Sequence, residues 1–179
     1  MQKLCLLAVA ALGAVFAPTV RAASPEANDA QVISLCLEAV HAQTVAATGA
    51  RGDVVHVLPI GPQPDNPWVP ATRPPLTQSW MAEAEQNLRA KQSQGDGWTP
   101  PKKYDVQGTR ARLKDLYDRR PWEQQPLHYL LWPPGYDAST THALVVATFG
   151  PTPKGGGVSC ALELTGGEWG VVDQKVTKN

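Results

Sequence analysis

Apolar residues along this chain recur with two different periods. Between about residues 26 and 47, Ile33, Cys36, Leu37 and Val40 fall three and four apart, the spacing of a helix with one buried stripe. Ser24-Pro25-Glu26 precedes them. It supplies an N-cap residue, a proline suited to the first helical position and an acid in the first turn. Gly49 closes the run. A second stripe, Trp80, Met81, Ala84 and Leu88, predicts a helix over about 78–93, with Thr77 as its cap and Gly95-Asp96-Gly97 as its stop. Thr109 can open a shorter third helix carrying Leu113, Leu116 and Tyr117, ended by Pro121.

The last third of the chain changes period. Leu127–Trp132, Ala143–Phe149, Val158–Leu164 and Trp169–Val176 are four apolar, β-rich runs, and Asp53–Ile60 is an earlier one. Gly166-Gly167 between the last two suits a type I′ hairpin, which needs positive φ at both central residues. With that tip, Leu164 faces Trp169, Leu162 faces Val171 and Cys160 faces Asp173. One face then carries Val158, Cys160, Leu162, Leu164, Trp169 and Val171. The other carries Ser159, Ala161, Glu163, Gly170, Val172 and Gln174. The predicted fold class is α+β: an N-terminal helix and one or two further helices on a mainly antiparallel C-terminal meander of about four strands.

Seven prolines between Pro59 and Pro75 exclude a helix or a central strand there. Residues 59–75 therefore read as an extended Pro-rich loop with polyproline character. At the start of the chain, Met1-Gln2-Lys3 precedes an apolar run from Leu4 to Ala17, then Pro18 and Val20-Arg21-Ala22. This is the layout of a cleavable export signal, too short to span a bilayer. The expected organisation is a leader over 1–22 and a single domain over 23–179, periplasmic or secreted, without stable membrane insertion after processing.

Removal of the leader takes Cys5 with it and leaves Cys36 and Cys160. A pair of cysteines in an oxidising compartment predicts one disulfide. If it forms, the first helix lies across the Cys160 face of the hairpin. The rival role, a catalytic thiol at Cys160, lacks a neighbouring His or helix N-terminus in the sequence.

Charge and composition narrow the function. Sixteen basic residues balance sixteen acidic ones, which excludes a dedicated nucleic-acid binder. The chemistry-bearing residues do not assemble into a motif. His41, His56, His128 and His142 lack metal-ligand spacing, and Gly157-Val158-Ser159-Cys160 is not a nucleophile elbow. Gly155-Gly156-Gly157 reads as a flexible hairpin loop, and Glu83 and Glu85 as residues of a solvated helix face. No cofactor or metal is expected.

Candidate partner contacts are Trp68, Trp98, Arg119, Arg120 and Trp122, which lie in or beside Pro-rich connections. Residues 102–120 hold seven basic against three acidic residues, a local excess that would steer an anionic partner. Arg and Trp are favoured at interface hot spots. The sequence therefore reads as an exported, non-catalytic binding protein, of the inhibitor or immunity type, whose partner is another protein. Two alternatives are a small-molecule or lipid carrier with a pocket lined by Val145, Ala147, Leu162 and Trp169, and a hydrolase using His128 or His142 beside Ser159.

Overall fold

The computed structural model describes residues 25–49, 56–59, 79–93, 127–150 and 155–178. Helix α1 spans Pro25–Thr48 and helix α2 Ser79–Ser93. The strands are β1 (His56–Pro59), β2 (His128–Leu131), β3 (Gly135–Tyr136), β4 (His142–Gly150), β5 (Gly156–Thr165) and β6 (Glu168–Lys178). They form one sheet in the order β1-β2-β4-β5-β6, with β3 also paired to β4. β1 runs parallel to β2 and every other pairing is antiparallel. The α+β class and the N-terminal helix expected from the sequence are present. The third helix predicted from Thr109 lies outside the described residues.

The α1 stripe is fully formed. Val32, Ile33, Cys36 and Val40 are inaccessible and Leu37 nearly so. They pack on Tyr129, Leu131, Val145, Ala147, Val158, Cys160 and Leu162 from the sheet. Thr44 is buried on the same face, and its hydroxyl meets the Tyr129 hydroxyl at 2.6 Å, so two polar groups enter the core already paired. Gly49 ends the helix at φ +66°, its N–H bonded to the Val45 carbonyl at 2.8 Å, the left-handed stop that glycine adopts without strain. Cys36 and Cys160 form a disulfide with Cα atoms 5.7 Å apart.

Helix α2 covers the opposite face. Ala84 and Leu88 pack with Trp132, Leu144 and Val146. β4 is therefore buried on both sides, which explains its nearly continuous apolar sequence. β2 and β3 are two arms lying along the same side of β4. The prolines at 133 and 134, which have no N–H to donate, separate them. Gly135 allows α2 to come close: a Cβ there would stand 1.9 Å from the Ala84 carbonyl oxygen.

The terminal hairpin has the predicted turn, with Gly166 and Gly167 at φ +63° and +90°. Leu164 pairs with Trp169 and Leu162 with Val171, as the pattern required. Beyond that point the expected register fails. Cys160 pairs with Gln174, not Asp173, because Val172 is left unpaired in a bulge opposite Ala161 and Leu162. The reason is hydrophobic phase. An unbroken period of two would turn Asp173 and Lys175 inward and Val176 outward. One extra residue reverses this: Val176 packs on the core and Asp173 and Lys175 are exposed. Gln174 consequently shares the Cys160 face and not the opposite one.

Candidate functional site

A connected group of polar side chains sits at the β3–β4 turn, residues 137–141. Asp137 organises it. Its Oδ1 accepts the backbone N–H groups of Thr141 and His142, each at 3.0 Å. Its Oδ2 accepts from the Ser139 hydroxyl and from His142 Nδ1, the latter at 3.0 Å. This is the local bonding that short acidic residues offer a turn. Burial alone would raise the Asp137 carboxyl; the bonds from the Ser139 and His142 side chains and the His142 N–H, with the His142 charge, outweigh it and hold the group down to about 2. Thr140 takes φ +54° inside the turn, a conformation a β-branched residue keeps only where its surroundings impose it.

His142 is fixed from two directions. Its Nδ1 faces Asp137, and its ring stacks on Trp80 of α2 with centroids 4.7 Å apart and planes at 19°. In the neutral ring, with the carboxylate accepting at Nδ1, the lone pair stands at Nε2. The side chain is 25% exposed. Across the strands on the same face, His142 pairs with Glu163 and Glu163 with Gly170. Glu163 is exposed, and no atom lies within 4 Å of where a Gly170 side chain would begin.

Next to this group, Tyr136 joins the two helices. Its hydroxyl donates to Asp29 Oδ1 of α1 at 2.7 Å and its carbonyl accepts from Asn87 of α2 at 2.7 Å. Lys91 Nζ lies 5.0 Å from its ring centroid and bonds the Pro134 carbonyl at 3.0 Å.

This arrangement is not a nucleophilic triad. Ser139 and Thr141 both lie on the Nδ1 side of His142, whereas a hydroxyl nucleophile has to meet the nitrogen opposite the carboxylate. Ser159 is not beside either histidine of the hydrolase alternative. His142 pairs with Glu163 and Ser159 with Val146, a separation of ~13 Å along the strands. His128 lies over Gly150, where a Cβ would stand 2.3 Å from its Cε1. Val145, Ala147, Leu162 and Trp169, the lining of the carrier alternative, are packed in the cluster beneath α1.

Trp68, Trp98, Arg119, Arg120 and Trp122 lie outside the described residues. Two smaller readings are corrected. Gly156 and Gly157 belong to strand β5 and are buried, and a Cβ on Gly156 would stand 1.8 Å from the Thr177 carbonyl oxygen, so close packing and not loop freedom requires that glycine. Glu85 is 7% exposed and its carboxylate pairs with Arg89 at 2.7 Å, so it is not on a solvated face. Among the described residues no group of three or more His, Cys, Asp and Glu side chains could hold a metal ion, and no helix is long and apolar enough to cross a membrane. The β3–β4 cluster was missed in the sequence, although Asp137, Ser139 and Thr141 flanked by Tyr136 and Ala143 form a recognisable turn signal. No family model, curated protein or solved structure matches the chain.

Proposed function

We propose that this is an exported, non-catalytic binding protein, of the inhibitor or immunity type, whose partner is another protein. The observation that carries the reading is the buried disulfide. Cys36 and Cys160 have no accessible surface and tie α1 to the sheet, a bond that persists in oxidising compartments and is rare in reducing ones. The export signal over 1–22 agrees with it. Around this scaffold the sequence places Trp68, Trp98, Arg119, Arg120 and Trp122 in long connections, where recognition residues on a rigid body concentrate.

The test is capture of partners from periplasmic extract by the processed chain, beside R119E/R120E and W122A variants. The reading expects a stoichiometric protein partner retained by the parent chain and lost by the variants. The processed chain itself should begin at Ala23 by N-terminal sequencing. Absence of any partner across a range of salt concentrations would count against the proposal.

A further inference from the structure

Helix α2 is attached to the sheet differently at its two ends. Along its middle, Ala84 and Leu88 pack on Trp132, Leu144 and Val146. Beyond them Asn87 bonds the Tyr136 carbonyl and Lys91 the Pro134 carbonyl. At its start Trp80, the second residue of the helix, lies on the His142 ring with centroids 4.7 Å apart and planes at 19°. Histidine is the side chain whose ordinary titration falls between pH 5 and 8. The contact at the start of α2 therefore has two charge states in that window, unlike the packing of Ala84 and Leu88.

We propose that the Trp80–His142 stack is a proton-operated latch, holding the first turn of α2 more firmly when His142 is an imidazolium than when it is neutral. Protonation turns the stack into a cation–π contact, since the indole presents its negative face well within the ~6 Å over which a cation is attracted. Seating Trp80 costs that charge little hydration. The stack covers a face of the ring, whereas the N–H donors lie in its plane: Nδ1 meets Asp137 Oδ2 at 3.0 Å, and the side chain stays 25% exposed. The other groups facing the ring are Glu163, its partner on β5, and the Thr141 hydroxyl, 3.2 Å from Nδ1. Glu168 shares that face of the hairpin. On α2 the first turn holds no acid, and Glu83 is exposed. What opposes the charge is the partly positive helix start, equivalent to about half a charge and fading within one turn; the Asp137 and Glu163 carboxylates offset it. The latch goes beyond the binding-protein reading and stands whether or not a partner is found. It bears on that reading through the sequence, because only residues 76–78 separate α2 from the Pro-rich residues 59–75 that carry Trp68.

Residue-resolved hydrogen exchange by NMR on the processed chain, at about pH 5.5 and about pH 8, tests the latch. The amides to follow are Glu83 and Ala84, whose helical bonds run back to Ser79 and Trp80. After correction for intrinsic exchange rates, their protection should be roughly two- to fivefold greater at the lower pH, the size of one exposed cation–π contact. Leu88 and Ala90 should show no such difference. H142Q should abolish the difference, and W80L should abolish it while loosening Glu83 and Ala84 at both pH values. A second measurement needs no variant: the Trp80 indole N–H resonance should titrate with the same midpoint as the His142 ring protons. Equal protection at the two pH values, a difference that persists in H142Q, a change shared along all of α2, or a Trp80 resonance that ignores the His142 titration would overturn the proposal. None of these readouts involves Arg119, Arg120 or Trp122, so partner capture can fail while the latch holds, and the reverse.

Discussion

The Tyr136 hydroxyl donates to Asp29 Oδ1 at 2.7 Å, joining residues 107 apart in the chain. This bond ties the start of α1 to a two-residue strand on which α2 also rests, so a single phenol couples both helices to the sheet. Burial first, then the Asp29 charge and the bond to it, push the Tyr136 phenol far above its usual value of 10. Burial also raises Tyr129, with the Thr44 bond opposing it. Below pH ~10 the phenols are protonated in both folded and unfolded chains, and stability is unaffected. Above it the unfolded chain ionises first, so stability should fall as pH rises. Y136F should cost about 1 kcal/mol at neutral pH, the net worth of one hydrogen bond, and should flatten the alkaline loss. Urea midpoints measured against pH check this. Phenolate absorbance from Tyr136 appearing before unfolding would contradict it.

The disulfide closes 124 residues of chain. Restriction of the unfolded state by a loop of that length contributes about 5 kcal/mol on the chain-entropy model. C36A/C160A should lose a large part of that in denaturant unfolding. In the parent chain both sulfurs should resist reductant until the protein unfolds, because neither has accessible surface. Rapid alkylation of both after mild reduction under native conditions would show that α1 does not seal them.

Gly135 sets how closely α2 approaches. An added Cβ would stand 1.9 Å from the Ala84 carbonyl oxygen and 2.8 Å from Leu88 Cβ. Both neighbours are parts of a packed helix and not the mobile ends of side chains. G135A should therefore displace α2 and cost roughly 1–3 kcal/mol, the range of overpacked sites. Tryptophan fluorescence should report it, since Trp80 lies on α2 and Trp132 packs against that helix. G170A is the control, with open space at its position, and should change stability much less.

The bulge at Val172 makes a sharp contrast between two changes at one residue. V172S removes an exposed side chain, 51% accessible, and should stay within about 0.5 kcal/mol of the parent. Inserting one alanine after Val172 instead shifts the rest of β6 by one position, turning Asp173 and Lys175 toward α1 and Val176 to solvent. That exchange buries charge without partners and should cost more than ~3 kcal/mol. Equal stability of the two variants would show that the bulge absorbs a second extra residue without a change of facing.

Much of this architecture follows from spacing alone. The stripe from Ile33 to Val40, the stop at Gly49, the Gly166-Gly167 turn and the meeting of Cys36 with Cys160 each rest on local periodicity or on one chemical pairing. What escaped was set by tertiary packing. The bulge answers a conflict between Val171 and Val176 that appears only when both must face α1. The place of α2 on the opposite face depends on Gly135 meeting Ala84, a contact between residues 51 apart. β3 was hidden by its length and by the two prolines before it. The site was less legible than the fold, because Asp137, His142 and Trp80 meet across three elements and only the turn signal was local.

The sulfur bridge also decides how this molecule behaves when its backbone is cut. Residues 36 and 160 bracket every connection between α1 and β5. A protease that nicks any of those connections leaves two fragments still covalently joined. The damaged protein would migrate as one species without reductant and as two pieces with it, its ends still held together after the wound.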